Sequence, residues 1–327
     1  MAHTYILLDS ANTFFRARHI IRGADLDSKI GLSFHIIFNS IRKVWNKHSG
    51  THVVFCFEGR SWRKDHYEPY KRNRQEMKAK LTEREAEEDR VFWEAYDTFC
   101  TFIKEKTNCT TLQHPELEAD DLIAGWIKAH PNDNHIVVST DSDLHQLVAP
   151  NVSQYNGVEE HLITTKGYFD DKDQPVKDKK TGVQRVIPTS DWIVFEKSMR
   201  GDATDNVFSA YPRVRKTALM EAYNDRDRKG FKWNNLMLQK WVDHDGKEHV
   251  VKDDYERNRT LVDLSAQPAD IKDKIFETIK ANAVIKNRPM VGAQFLKFCG
   301  KYELNKLSEN ASYFSEWLGT AYPERTV

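Results

Sequence analysis

The acidic residues with the most chemical promise in this chain fall into five short islands: Asp9; Glu58; Glu118 with Asp120 and Asp121; Asp141 with Asp143; and Asp202 with Asp205. Three islands follow stretches that read as buried strands: TYILLDS delivers Asp9, HVVFCFE delivers Glu58, and HIVVSTDSD delivers Asp141 and Asp143. In an open α/β sheet the carboxyl ends of parallel strands converge on one crevice, so carboxylates far apart in sequence can meet there. That much negative charge is tolerable only with hard divalent cations, and an all-oxygen donor set points to Mg²⁺ or Mn²⁺. Taken alone, Asp9 or Glu58 is better read as a turn former or helix cap. First-turn carboxylates in LEADDLIAGWIKAH are likewise what a helix dipole favours. The set resists that reading. Asp141 and Asp143 stand two apart in a tight turn, and Asp202 and Asp205 stand three apart in RGDATDNV, a spacing that turns both to one side.

The elements that must position these groups alternate strand and helix to about residue 155, with helices expected at 29–47, 82–106 and 117–129. The stretch from Lys166 to Val183, rich in Asp, Lys and Gly between HLITT and VQRVI, reads as an exposed β-hairpin tip. Pro188, Thr189 and Ser190 start a helix before DWIVFEKSMRG. Beyond them the pattern is mainly helical, with a small hairpin around WVDHDGKEHVV. The expected fold class is α/β with a mainly parallel sheet in residues 1–187 and a mostly helical region in 188–327. Residues 225–327 are expected to form a helical support and partner-docking region, with WNNLMLQKW and QFLKFCGKYELNKL reading as core.

The chain has 327 residues and a formal net charge of +0, a balance that argues neither for nor against nucleic acid because clusters set the local field. Residues 60–80 are such a cluster, interleaving Trp62, His66, Tyr67 and Tyr70 with Arg60, Arg63, Lys64, Lys71, Arg72 and Arg74. Aromatic faces stack on bases while cations follow phosphates, so this composition suits single-stranded or splayed nucleic acid; a solvated basic loop is the plainer reading. Cys56, Cys100, Cys109 and Cys299 have no CxxC spacing and read as reduced thiols of a cytoplasmic protein. No apolar run approaches the ~20 residues of a membrane span. FLKFCGKYE fails as a phosphate-binding loop because Phe295 and Tyr302 occupy its defining positions, and the histidines form no HExxH pair.

In this order, LLDSANTFFRAR, FEGRSWRKDHYEPYKRNR, ELEADDLIAG, STDSDLHQL and MRGDATDNV resemble the successive motifs of the 5′-nuclease family, which includes flap endonucleases and the exonuclease domains of bacterial DNA polymerases. Within it, T-even phage ribonuclease H is the branch most resembled, and the likeness runs from Asp9 to about Lys216. The resemblance implies a PIN-like core carrying a basic arch at about 60–80, followed by a DNA-clamping region with a divergent helix-hairpin-helix. It implies 5′ to 3′ hydrolysis of RNA primers and DNA at 5′ ends or flaps during phage lagging-strand replication, in the host cytoplasm. The protein would act as a monomer on DNA and RNA–DNA duplexes, with a single-strand-binding protein among its partners. Two Mg²⁺ ions, with Mn²⁺ as a substitute, would lie roughly 4 Å apart. Glu118, Asp120 and Asp141 would hold the first, supported by Asp9 and Glu58; Asp143, Asp202 and Asp205 would hold the second. Asp121 stands between ligand and helix cap.

Tyr70, Lys71 and Arg74 match the family's YKxNR. Lys71 would then neutralise the scissile phosphate, with Asp120 and Asp141 as its catalytic companions. Arg74 would contact a neighbouring phosphate, Tyr70 would stack on a base, and Arg63 and Arg72 would add nucleic-acid contacts. Two positions depart from the family. Glu58 replaces the usual Asp, and FSAYPRVRKTALMEAY has no glycine where the family has a Gly-x-Gly hairpin, so the usual φ > 0 turn is not expected. Arg213, Arg215 and Lys216 would contact phosphate with side chains instead. The alternatives are a non-catalytic DNA-junction binder on the same fold and a PIN-type ribonuclease. The first is expected to lack the acidic residues, and the second to lack the arch and clamp.

Overall fold

The computed structural model describes residues 2–17 and 25–323; Arg18, in the first motif, lies outside them. Among the described residues no helix is long and apolar enough to cross a membrane. The chain divides into two compact units, the first comprising 1–61, 82–187 and 270–327 and the second 62–81 and 188–269.

The first unit is built on strands β1 (Thr4–Asp9), β2 (His52–Cys56), β3 (Thr110–Leu112), β4 (Asn134–Val138), β5 (Val152–Asn156), β6 (His161–Thr164) and β7 (Gly167–Phe169), in the sheet order β3-β2-β1-β4-β5-β6-β7. Strands β1 to β5 run parallel, and β6 and β7 are antiparallel additions. Both β1 and β2 are buried along their whole length, as parallel strands covered on both faces must be. The chain steps outward from β1 to β3 and then returns to β4 on the other side of β1, so the strand order reverses between β1 and β4. Crevices of α/β sheets open at such a switch. Leu8 pairs with Val138, and one step further Asp9 comes level with Ser139.

The three expected helices are Leu26–His48, Glu83–Lys106 and Ala119–Ala129. Asp25 caps the first by accepting from Ser28 N, and Thr82 with Glu85 forms a capping box at the second. The hairpin expectation holds in part: VQRVI forms one arm of an exposed hairpin, with Gln184 paired to Lys177 and the tip at 178–183, but HLIT is not the other arm. HLIT does not pair across a long loop with VQRVI; it turns at once into β7, with Ile163 opposite Tyr168. The polar stretch then folds in two tight turns, because Asp170 Oδ1 accepts from Lys172 N and Gln174 N, and Asp178 Oδ1 from Lys180 N and Thr181 N.

A single cut at residue 187 also fails to describe the units. Residues 270–327 return to the first, where Phe295, Phe298, Phe314 and Trp317 join Phe34, Phe38, Phe55 and Phe99 in one core. Phe298 stacks on Phe102 at 4.6 Å and Phe295 meets Phe38 at 5.1 Å. In the second unit, helices Ser190–Arg200, Lys216–Asp225, Phe231–Met237 and Val251–Val262 surround Phe195, Met199, Leu219 and Met237. A small hairpin of β8 (Lys240–Val242) and β9 (Glu248–Val250) completes it. Residues 62–81 belong here and not to the sheet unit: Arg63 Nε donates to Leu261 O at 2.7 Å, and Tyr70 packs with Val207 and Leu261.

Two buried histidines make the first unit sensitive to acid. His52 Nε2 accepts from Thr110 N at 3.1 Å while Nδ1 lies 3.2 Å from Thr320 O, an arrangement for the neutral ring. Burial pushes its pKa from 6.5 down to about 3, and that of His135 down to about 4. Because these folded values lie below the unfolded one, the stability they confer is complete above pH 6.5 and is lost as pH falls toward 3. Thermal melts from pH 7.5 to 4 should show a falling midpoint, with a loss on the order of a few kcal/mol. A His52→Gln variant should show a shallower slope; an unchanged slope would rule out His52 as a contributor.

Candidate active site

The first unit gathers its carboxylates at the carboxyl ends of β1, β2 and β4 and at the start of helix Ala119–Ala129. Asp9 ends β1, 6 % exposed, its Oδ2 accepting from Ser139 Oγ at 2.9 Å. Glu58 lies two residues past β2, and its Oε2 accepts from Ala119 N at 3.3 Å. Gly59 permits that approach, since a Cβ there would come within 2.0 Å of His114 O. Glu118 is 2 % exposed and accepts from Ser61 Oγ at 2.7 Å. Asp121 is fully buried and accepts from Glu118 N at 3.2 Å, as the third residue of a capping box whose N-cap is Glu118. Asp141 Oδ1 accepts from Asp143 N at 2.9 Å, shaping the 3₁₀ turn Ser142–Leu147. Ser61 and Ser139 are partners that carboxylate spacing did not reveal; the strand register is what brings Ser139 to Asp9.

The shared field of these groups is felt beneath them. The Cys56 thiol is pushed well above its ordinary pKa first by burial, then by the charges of Asp9, Glu58 and Asp120. Tyr96 is raised by burial, by Cys100, and again by Glu58 and Asp9. Among the described residues no three His, Cys, Asp or Glu side chains already form a ligand set. Like charges repel, and Asp9, Glu58, Glu118, Asp121 and Asp141 each lean on a protein donor. The donors at this end are all carboxylate oxygens, which fits a hard divalent cation and not a soft one.

Glu58 offers a direct test of that fit. An Asp at this position falls about one bond short of Ala119 N, so Glu58→Asp should stay active but need a different Mg²⁺ concentration for half-maximal rate. Glu58→Gln should lose much more, because it removes the charge. Identical Mg²⁺ titrations for all three proteins would place Glu58 outside the metal shell.

The second unit holds further predicted residues, three of them gathered on Asp205. Lys71 adopts the left-handed region at φ 55°; its N donates to Asp205 O at 2.8 Å and its Nζ lies 3.5 Å from Asp205 Oδ2. Arg74 Nη2 reaches Asp205 Oδ1 at 2.5 Å, and Tyr70 OH donates to Asp205 Oδ2 at 3.0 Å. Asp202 pairs with Lys197 at 2.8 Å; burial raises its pKa, but that pair and the N–H groups of Thr204 and Asp205 outweigh it and hold the carboxyl low. Arg72, the first residue of the helix Arg72–Lys78, pairs with Glu76 on that helix and with Glu68 ahead of it.

Two expected nucleic-acid contacts are corrected. Arg63 is 1 % exposed and bonded to Leu261 O, and Tyr70 is 4 % exposed within an apolar cluster, so neither presents a face to a base or phosphate. Arg213, Arg215 and Lys216 are exposed at the start of helix Lys216–Asp225. The hairpin before that helix does contain a left-handed residue, which is Arg213 itself at φ 60°. A non-glycine residue there costs roughly 1–2 kcal/mol.

The mainly parallel sheet is matched by comparison with known proteins. Residues 4–177 match the family described as 5′-3′ exonuclease, N-terminal resolvase-like domain, and the chain belongs to that family. It is 27 % identical over 205 residues to the flap endonuclease of Escherichia phage T5, covering 62 % of this chain and 63 % of that one. It is 28 % identical over 241 residues to DNA polymerase I of Rhizobium leguminosarum, covering 68 % of this chain and 21 % of the polymerase. The chain thus spans about a fifth of the polymerase and under two thirds of the phage enzyme. Among solved structures, the T5 5′-exonuclease with bound zinc superposes with a TM-score of 0.60 at 21 % identity, over 86 % of this chain and 100 % of the other. A T5 flap endonuclease pseudo-enzyme–product complex with DNA and metal ions superposes with a TM-score of 0.56 at 20 % identity, over 85 % of this chain and 98 % of the other. These likenesses establish the fold: a resolvase-like α/β core with a mainly parallel sheet and a helical C-terminal region.

Proposed function

We propose that this protein is a divalent-metal-dependent 5′ to 3′ nuclease that hydrolyses phosphodiesters of RNA primers and DNA at 5′ ends or flaps of duplexes during phage lagging-strand replication. The observation that carries the reading is geometric: Asp9 ends β1, Glu58 and Asp141 follow β2 and β4, and Glu118 opens the helix whose first N–H binds Glu58, so that the parallel register of the strands brings these carboxylates to one end of the sheet. Glu118, Asp120 and Asp141 would hold a cation, with Asp9 and Glu58 in support. Bound Mg²⁺ would supply an activated water and stabilise the leaving 3′ oxygen. For Asp202 and Asp205 to serve as ligands they must release Lys197, Lys71 and Arg74, and the freed Lys71 and Arg74 charges would then be available to phosphate. Occupancy of every acidic position favours the enzyme over a non-catalytic binder.

The deciding assay digests 5′-labelled RNA–DNA hybrids, nicked duplexes and flaps, each with Mg²⁺ and with EDTA. Cleavage that releases 5′ fragments only with Mg²⁺ supports the proposal; no cleavage of any substrate, with junction binding retained, would favour the binder. Grip should separate from chemistry at Arg213 and Lys216. Lys216→Ala should weaken duplex binding and lower its salt slope by about one counterion. Arg213→Gly should do the same while raising stability by about 1 kcal/mol, because glycine accepts the left-handed backbone. A salt slope unchanged in both variants would mean that neither side chain touches phosphate.

A further inference from the structure

Gln154, on β5, belongs to no motif, yet its side chain grips the turn that carries Asp141. It is 1 % exposed, and its Nε2 donates to Ser139 O at 3.0 Å and Asp141 O at 2.7 Å. The same turn is held from other directions. Asn12 Oδ1 accepts from Thr140 N at 3.1 Å and Thr140 Oγ1 at 2.8 Å, while Asn12 N donates to Asp9 Oδ1 at 3.3 Å. Ser139 Oγ donates to Asp9 Oδ2 at 2.9 Å and accepts from Asp141 N at 3.0 Å. One hydroxyl therefore links the Asp9 carboxylate to the backbone that orients Asp141, and one buried amide fixes both ends of that three-residue turn.

The amide is retained at a cost. Among the described residues its Oε1 is buried without a hydrogen-bond partner, and an unsatisfied buried acceptor destabilises the fold. A leucine of similar size would avoid that cost, so the residue is better explained by what its nitrogen holds than by packing. Asp9 and Asp141 are like charges, and holding them at fixed positions before a cation arrives needs outside support.

We propose that Gln154 and Ser139 are positioning residues that preset Asp9 and Asp141 for a divalent cation, an inference that rests on the reading of these carboxylates as metal ligands. Loss of such supporting partners typically costs roughly 10–100-fold in metal affinity or activity. The test measures Mn²⁺ binding by electron paramagnetic resonance for the wild type, Gln154→Leu and Ser139→Ala, beside Mg²⁺ titrations of flap cleavage and thermal melts in EDTA. Both variants should bind Mn²⁺ about 10-fold or more weakly, and their Mg²⁺ midpoints should rise in proportion, with most of the rate recovered at saturating Mg²⁺. A merely structural role would lower the melt in EDTA and leave Mn²⁺ affinity unchanged. Equal affinity in all three proteins overturns this inference alone, whereas absence of Mn²⁺ binding by the wild type overturns the metal reading and this inference with it. If Gln154→Leu does not fold, Ser139→Ala decides by the same measurement.

Discussion

Asp141→Asn should abolish cleavage while leaving junction binding in EDTA within about twofold of wild type, and Asp120→Asn should do the same. Asparagine keeps an Oδ1 that can still accept from Asp143 N, so the 3₁₀ turn survives and only the charge is lost. Asp120 contributes to the negative field felt at Cys56, and its amide would remove that share. Losing a cation that activates water and stabilises the leaving oxygen removes several kcal/mol of transition-state stabilisation, on the order of a 10³-fold drop in turnover. Single-turnover cleavage of a flap at saturating Mg²⁺ measures it. Wild-type turnover by both variants would end the metal reading.

Lys71→Ala should lower the single-turnover rate by roughly 10²-fold, with a much smaller change in substrate affinity. Its Nζ now rests against Asp205, and its side chain is only 16 % exposed, so the charge is held and oriented instead of swinging in solvent. Alanine accepts the left-handed backbone no better than lysine does, and Arg74 still pairs with Asp205, so the local fold should change little. Lys71→Arg keeps the charge but alters its shape and reach, and should fall between the two. A variant that changes only the dissociation constant would show that Lys71 grips substrate without aiding the chemistry.

The carboxylate ends of β1, β2 and β4 were legible because a buried parallel strand needs a continuous apolar run, and the residue just past that run reaches the sheet edge. Helix positions were legible because apolar residues at helical spacing are a local signal, though the start expected at 29 missed the turn that Asp25 caps ahead of Leu26. What escaped depended on distance through space. Nothing local in QFLKFCGKYELNKL says that Phe295 and Phe298 close the first unit's core, even though the apolar character itself was plain. Composition also cannot separate a buried guanidinium from a solvated one, which is why Arg63 read as a phosphate ligand. Arg213 shows the limit of reading turns from glycine alone, since its positive φ is imposed by the structure around it. Gln154 became visible only through the pairing of β5 with β4, which sets its amide beside the turn carrying Asp141.

The return of residues 270–327 to the first unit sets an order of events at the ribosome. Phe295, Phe314 and Trp317 must leave the exit tunnel before the aromatic core around Phe34, Phe38 and Phe55 can close. At synthesis rates of about 5–20 residues per second, the stretch from residue 188 to residue 318 keeps the sheet unfinished for roughly ten seconds after its strands have emerged. Residues 188–269, which make up most of the second unit, emerge in one continuous run and are free to fold during that wait. A growing chain therefore carries its acidic strand ends for a time without the aromatic side chains that complete the core beneath them.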